Sequence, residues 1–310
     1  MAAISAEIYS LAQSELSQVE TRFDHEYGAY WVYMNPRPRP SFNLNLLREL
    51  RLYLDAIVDS HSQVPQGQLP PIRYGVLASK IPGVFNLGGD LTLFRSLIKQ
   101  QDRPALLLYG ETCINNLYPW HRNCDLPLTS ISLVQGDALG GGFEAALSAS
   151  VLIAEESARM GFPEILFNLF PGMGAFSFLS RKIGRRTAEE MITSGAIYTA
   201  RQLYDMGVVD VITPDGTGEQ AVYAYIRRHS KHANGRHGFE RARNEAAPIT
   251  REELLRVVNV WADTALKLSD RDLRIMERLI RAQQRAPAPD AFEPIDNIVP
   301  MYSISSKDHA

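Results

Sequence analysis

The 310-residue chain has few cysteines and almost no excess of charge. Its two cysteines, Cys113 and Cys124, are too few for the disulfide framework of a small secreted domain, so both are expected to be reduced, partly buried thiols. The 32 basic and 35 acidic side chains leave a formal net charge of −3, which supplies no overall attraction to phosphate. Nucleic acid is therefore not a predicted partner.

Long apolar runs are also missing. No stretch reaches the roughly 18 apolar residues that suggest a membrane-spanning helix. The segment from Met1 to Leu16 lacks a basic region followed by an apolar one, so a secretory signal is not predicted and a cytoplasmic location is expected. His121 and Cys124 alone supply too few ligands for a zinc site, and neither a metal nor a cofactor is predicted.

The sequence does contain alternating strand and helix patterns. Two β-rich runs, Gln18 to Asp24 and Ala29 to Met34, flank Gly28 and predict an antiparallel hairpin. Apolar residues at helical spacing follow, with Asn43 or Asn45 available to cap the helix. Further strands alternate with helices up to Thr213, a pattern that predicts an α/β fold with a largely parallel, buried sheet.

The pattern changes beyond Thr213, where the apolar residues recur at helical spacing. The predicted organisation has three parts: an α/β core with an N-terminal hairpin at 1–213, a helical region at 214–285 and a flexible tail at 286–310.

Three glycine-containing turns are predicted after apolar segments. Glycine lets the main chain approach a ligand closely, and an N–H at a helix N-terminus points outward with a positive partial charge. The second turn is predicted to begin at Gly136. Gly89 in the first turn and Gly141 in the second could thus donate two hydrogen bonds to one carbonyl oxygen, as in an oxyanion hole. Each turn alone is also consistent with a purely structural role.

These glycines do not match the nucleotide-binding motifs. The stretch from Gly136 to Glu144 lacks the Gly-Lys-Ser/Thr ending of a phosphate-binding loop. The third turn, Gly172-Met-Gly174, lacks the next glycine of the dinucleotide fingerprint. Nucleotide binding is therefore not predicted.

Two glutamates lie just after or between these turns, among apolar neighbours. Glu144 precedes Ala-Ala-Leu at a helix start, and Glu164 lies between Pro163 and two apolar residues. Burial favours the protonated form of a carboxyl group, so two such groups around one water can exchange protons near neutral pH. The alternative is a helix-start charge and a solvated loop acid.

Five blocks follow one another along the chain: Asn86-Leu-Gly-Gly-Asp-Leu91, Gly136-Asp-Ala-Leu-Gly-Gly-Gly-Phe-Glu144, Met160-Gly-Phe-Pro-Glu164, Phe170-Pro-Gly-Met-Gly174 and Thr193-Ser-Gly-Ala-Ile-Tyr-Thr-Ala200. With these blocks in this order, the sequence resembles the crotonase (enoyl-CoA hydratase/isomerase) superfamily. The resemblance implies a spiral of ββα units completed by C-terminal helices. It also implies an acyl thioester held by the amides of Gly89 and Gly141, two catalytic glutamates at Glu144 and Glu164, and a homo-oligomer.

A narrower resemblance concerns the region from Asp24 to Asn45, the stretch from Cys113 to Cys124 and the helix of Trp261. These are similar to the synthases of diffusible signal factor, which make cis-2-unsaturated fatty acids for cell-to-cell signalling. The resemblance implies dehydration of a 3-hydroxyacyl chain on acyl carrier protein, followed by hydrolysis of the thioester. Glu164 would take the α-proton and Glu144 would protonate the departing hydroxyl, although either could handle the shared water.

An acyl chain needs an apolar pocket, and Met173, Trp261 and Leu279 are the candidate wall residues. Core packing is the alternative for each of them.

Two other functions remain open. One is a plain enoyl-CoA hydratase that leaves the thioester intact, and the other is an acyl-binding protein that sequesters a signalling partner. A basic stretch could dock an acidic carrier protein or a phosphopantetheine phosphate, or form a solvated loop. Its members are Arg227, Arg228, Lys231, Arg236, Arg241 and Arg243, with His229, His232 and His237 between them.

Overall fold

Two β-sheets and a set of packed helices make up the computed structural model, which describes residues 16–65 and 68–284. The strands are β1 (Val19–Asp24), β2 (Ala29–Met34), β3 (Tyr74–Ser79), β4 (Gly83–Asn86), β5 (Thr129–Val134), β6 (Gly136–Leu139), β7 (Val151–Glu155), β8 (Arg159–Gly161), β9 (Ile197–Thr199) and β10 (Val211–Thr213). The predicted tail at 286–310 and the segment before residue 16 lie outside the described residues.

The helices surround the sheets and include short 3-10 turns, of which Pro163–Phe167 carries a candidate site residue. They are α1 (Leu44–Ser62), α2 (Leu91–Lys99), α3 (Arg103–His121), α4 (Gly141–Ser148), α5 (Ala175–Ile183), α6 (Arg185–Ser194), α7 (Ala200–Asp205), α8 (Gly218–His229), α9 (Ala233–Ala246), α10 (Arg251–Ala265) and α11 (Asp270–Gln284). Among the described residues, no helix is long and apolar enough to cross a bilayer.

The larger sheet has the strand order β1-β2-β3-β5-β7-β10. Its first two strands pair antiparallel, with Val19 opposite Met34, and all later pairs run parallel. Strands β2, β5 and β7 are buried along their whole length, as expected where both faces of a parallel sheet are covered. The predicted hairpin and the largely parallel sheet are both confirmed.

The smaller sheet, β4-β6-β8-β9, corrects one sequence interpretation. The sequence predicts that the second glycine turn begins at Gly136, but this residue begins strand β6 and pairs with Gly83 of β4. A Cβ on Gly136 would collide with the backbone of Gly83, so this glycine permits close strand approach. The turn itself comes at Gly140, whose φ is +54°.

Helix α1 begins as its cap predicts. The side chain of Asn43, not Asn45, accepts a hydrogen bond from Leu46 N at 2.9 Å. One turn later the buried carboxylate of Glu49 accepts hydrogen bonds from the backbone N–H groups of Gln18 and Val19 at 2.7 and 3.1 Å. These hydrogen bonds hold the first residues of β1 against helix α1.

The apolar residues predicted at helical spacing form the buried faces of the last two helices. Leu254, Val258 and Trp261 of α10 are buried, and α10 packs along α3, where a Cβ on Gly110 would collide with Val258. Helix α11 packs against α2 and against the 3-10 turn at Pro163–Phe167. These contacts bring the C-terminal helices to the glutamate-bearing elements.

The basic stretch is helical and not a loop: it covers the end of α8, a short 3-10 turn (Ser230–His232) and most of α9. Arg236 hydrogen-bonds to the hydroxyl of Tyr225, and Glu240 is buried and accepts a hydrogen bond from Asn123 at 3.2 Å. A cleft of about 900 Å³ lies between α9 and residues 122–127, and none of the candidate site residues lines it.

Candidate active site

The first glycine turn follows strand β4. Gly88 has a φ of +91° and donates its N–H to the side-chain oxygen of Asn86 at 2.8 Å. A positive φ suits glycine because other residues are strained there. Gly89 follows, and its N–H has no hydrogen-bond acceptor among residues 16–65 and 68–284.

The second glycine turn lies against the first. A Cβ on Gly141 would meet Gly88 Cα at 3.4 Å and Gly89 N at 3.5 Å. Gly141 is the first residue of α4, and its N–H also lacks an acceptor in the described part of the chain. The structure thus brings together the two backbone donors that the sequence analysis had paired.

Glu144 lies in the first turn of α4 with only 1% of its surface exposed. Its Oε1 accepts hydrogen bonds from Met173 N at 2.7 Å and Ala175 N at 3.0 Å. Burial raises the pKa of this carboxyl group to about 7, and the two backbone hydrogen bonds act in the opposite direction. The group therefore changes protonation near neutral pH.

Glu164 approaches the same turn from the short 3-10 helix. A Cβ on Gly140 would collide with Glu164 Oε1, so glycine is needed at this contact. Glu164 Oε2 is buried and has no hydrogen-bond partner among the described residues. Burial, followed by repulsion from Glu144, raises the pKa of Glu164 to about 8.

The two carboxyl groups therefore lie close enough to affect each other's charge. Burying two like charges side by side is costly, so near neutral pH the pair holds one proton. A pair with one acid and one base can take a proton from one atom of a ligand and give a proton to another. The adjacent Gly89 and Gly141 amides can stabilise a negative oxygen in the same place.

The candidate wall residues differ in their relation to this site. Trp261 contacts Gly172 so closely that a Cβ on Gly172 would overlap the indole ring. This ring also packs edge-on against Phe94, with ring centroids 5.1 Å apart. Phe94 in turn lies against Gly89. Trp261 is thus connected to the first donor through a single aromatic ring.

Met173 and Leu279 are less direct. The Met173 side chain is buried, and its backbone N–H is a hydrogen-bond donor to Glu144. Leu279 is partly buried on α11 and packs on the main core. The sequence analysis missed the backbone contribution of Met173 and Ala175, although the glycines at 172 and 174 indicated exposed amides there.

A family model described as enoyl-CoA hydratase/isomerase matches residues 34–243. The chain belongs to that family. Over 187 residues it is 33% identical to the fatty acid oxidation complex subunit alpha of Pseudomonas savastanoi pv. phaseolicola, covering 60% of this chain and 24% of that protein. The Pseudomonas putida subunit is 33% identical over 175 residues, or 56% of this chain and 22% of that protein.

The chain therefore spans about a quarter of the length of these curated relatives. Its fold is similar to an enoyl-CoA hydratase from Bacillus halodurans, with a TM-score of 0.72, 18% identity, and coverage of 84% of this chain and 100% of that chain. The human mitochondrial delta3-delta2-enoyl-CoA isomerase gives a TM-score of 0.69 at 20% identity, covering 86% of this chain and 99% of that one. These matches confirm the predicted crotonase fold with its helical C-terminal part.

Proposed function

We propose that this enzyme is an enoyl-thioester hydratase, which adds water to an α,β-unsaturated acyl thioester and catalyses the reverse dehydration. One observation carries the proposal: the unpartnered, buried Glu164 Oε2 lies beside Glu144 and the turn that presents the Gly141 amide. Family membership and the fatty acid oxidation relatives support the same reaction.

The proposed reaction begins with the thioester carbonyl oxygen between the N–H groups of Gly89 and Gly141. An ionised Glu144 takes a proton from water, and the resulting hydroxide adds to the β-carbon. The electron pair moves onto the carbonyl oxygen as an enolate, which the two donors stabilise by roughly 3 to 4 kcal/mol each. Protonated Glu164 then gives its proton to the α-carbon, so that one water has been added and the pair again holds one proton.

The test follows hydration by the loss of enoyl-thioester absorbance, using enoyl-CoA substrates of graded chain length. Glu144→Gln and Glu164→Gln should each lower kcat at least about 100-fold, since general acid–base catalysis contributes that much or more. Glu240→Gln is a matched control, because Glu240 is a buried carboxyl group with a raised pKa that does not line the site. Its kcat should stay within a few-fold of the unmodified enzyme.

A double Glu144→Gln, Glu164→Gln variant that hydrates at the unmodified rate would refute the proposal. If the double variant is instead inactive as a hydratase but keeps the effect of the unmodified protein in cells, that result favours the acyl-binding role.

The second candidate is a synthase of a cis-2-unsaturated fatty acid signal. It would remove water from a 3-hydroxyacyl group on acyl carrier protein, and then use one water to release the free acid and the carrier thiol. The observation in its favour is that the three segments of the narrower resemblance each contact an element of the site. Phe42 N donates a hydrogen bond to Gly88 O at 2.8 Å, Cys113 lies on helix α3, which packs beside α4, and Trp261 contacts Gly172.

Mass spectrometry of the products separates the two candidates. A free unsaturated acid released from a 3-hydroxyacyl carrier substrate supports the synthase, and an intact thioester supports the hydratase. Parallel reactions with CoA thioesters identify the carrier. The homo-oligomer implied by the resemblance stays a prediction, which light scattering of the purified protein tests.

A further inference from the structure

The Gly88–Gly89 turn is held by a segment that precedes helix α1. Leu87 N donates to Pro40 O at 2.7 Å, and Phe42 N donates to Gly88 O at 2.8 Å. Phe42 and Gly89 also form an isolated parallel bridge. The Gly88 C=O and the Gly89 N–H belong to one planar peptide group, so the hydrogen bond from Phe42 N to Gly88 O also sets the direction of the Gly89 N–H.

One buried hydroxyl group fixes Phe42. Tyr109 of α3 is 2% exposed, and its hydroxyl donates to Phe42 O at 2.6 Å. A Cβ on Gly89 would lie 3.5 Å from the hydroxyl oxygen of Tyr109. The hydroxyl therefore holds Phe42 and also lies against Gly89 itself.

The Tyr109 ring is itself fixed by its neighbours. It packs edge-on against Phe94, with ring centroids 4.8 Å apart. Burial raises the pKa of the hydroxyl well above its usual value of 10.0, so the group keeps its proton and remains a donor across the working pH range.

We infer that Tyr109 is a positioning residue that aims the Gly89 N–H at the substrate carbonyl. The inference rests on the proposed function, because it concerns the oxyanion donors of that reaction. Glycine leaves the peptide groups on either side of it free to rotate. Donors stabilise a developing charge only if they are held in place beforehand. The Tyr109–Phe42–Gly88 chain of hydrogen bonds supplies this restraint from outside the turn.

The test compares Tyr109→Phe with Tyr53→Phe in the full-length enzyme. Tyr53 is a matched control, since it is 4% exposed and its hydroxyl also donates to a backbone carbonyl, Tyr30 O, at 2.7 Å. Two quantities are measured: kcat and KM for hydration, and the red shift in absorbance of a bound para-dimethylaminocinnamoyl thioester. That shift reports how strongly the carbonyl is polarised and does not depend on turnover.

Tyr109→Phe should lower kcat about tenfold, less than loss of a whole donor, with KM within about twofold. It should also reduce the red shift, whereas Tyr53→Phe should leave both close to the unmodified enzyme. Equal red shifts and equal kcat in the two folded variants would overturn the inference. Absence of any red shift in the unmodified enzyme would instead contradict the proposed function.

If Tyr109→Phe does not fold, difluorotyrosine placed at position 109 keeps the ring and the hydroxyl but changes its strength as a donor. A red shift that changes at position 109 and not at position 53 supports the inference. An unchanged shift at both positions overturns it.

Discussion

Replacing Glu164 with glutamine should stabilise the folded protein at alkaline pH but not at acid pH. The pKa of this carboxyl group is raised from 4.5 to about 8 by burial and by Glu144. Below pH 4.5 the group is protonated in both the folded and unfolded states, so its charge costs nothing. Between pH 4.5 and about 8 the unfolded chain gives up this proton while the folded protein keeps it, so the unmodified protein loses stability across this range that the variant keeps, and the loss is complete above pH 8.

The size of the effect follows from the pKa shift. Each unit corresponds to about 1.4 kcal/mol, so a rise from 4.5 to about 8 gives an upper bound of about 5 kcal/mol. The Glu164 side chain is half-buried, and solvent screening lowers this bound. We expect Glu164→Gln to raise the free energy of unfolding by about 2 kcal/mol at pH 9 relative to pH 5.

Urea unfolding at pH 5, 7 and 9 measures this difference. Glu189→Gln serves as the control, because Glu189 is exposed on helix α6 and pairs with Arg185 one turn away. Its stability should follow that of the unmodified protein at every pH. The reasoning is refuted if Glu164→Gln shifts the unfolding free energy equally at pH 5 and pH 9.

Three further substitutions test other contacts. Gly140→Ala should give a folded protein whose kcat in the hydration assay is about 100-fold lower. The added methyl group on this residue, whose φ is +54°, would displace the carboxyl group of Glu164. Trp261→Ala should lower the free energy of unfolding by about 3 to 5 kcal/mol in urea and raise KM for long acyl chains, since it opens a cavity beside Gly172. Glu49→Ala should cost about 3 kcal/mol of stability by thermal unfolding, because buried N–H groups at the start of β1 lose their acceptor. Unchanged kcat, KM or melting temperature, respectively, would contradict these expectations.

Local sequence rules predicted most of the fold because its elements depend on local chemistry. The hairpin around Gly28, the Asn43 cap and the Trp261 stripe each rest on residues within one or two turns of chain. Gly136 was misread for a physical reason: glycine serves both for turns and for close strand approach, and only the position of Gly83 distinguishes the two.

The site was predictable only in part. The pairing of Gly89 with Gly141 follows from the chemistry of glycine turns and from the family resemblance, and the structure places their turns in contact. The donors to Glu144 lie 29 and 31 positions further along the chain, and the restraint of Phe42 by Tyr109 spans 67 positions. No local pattern encodes such contacts, because they depend on how whole elements pack.

The unequal surroundings of the two glutamates predict how activity depends on pH. Backbone donors from Met173 and Ala175 favour the ionised form of Glu144, whereas Glu164 is repelled by Glu144, so the shared proton resides on Glu164. This state suits water addition directly, with Glu144 as the base and Glu164 as the acid. Because hydration takes up no net proton, kcat/KM in both directions should show one bell-shaped profile, with Glu144 responsible for the acid limb and Glu164 for the alkaline limb. The residual activity of Glu144→Gln should lose the acid limb, and its alkaline limb should move to lower pH because the repelling charge is gone. Glu164→Gln should lose the alkaline limb, and a variant of either kind that kept both limbs would show that the pair does not share its proton in this way.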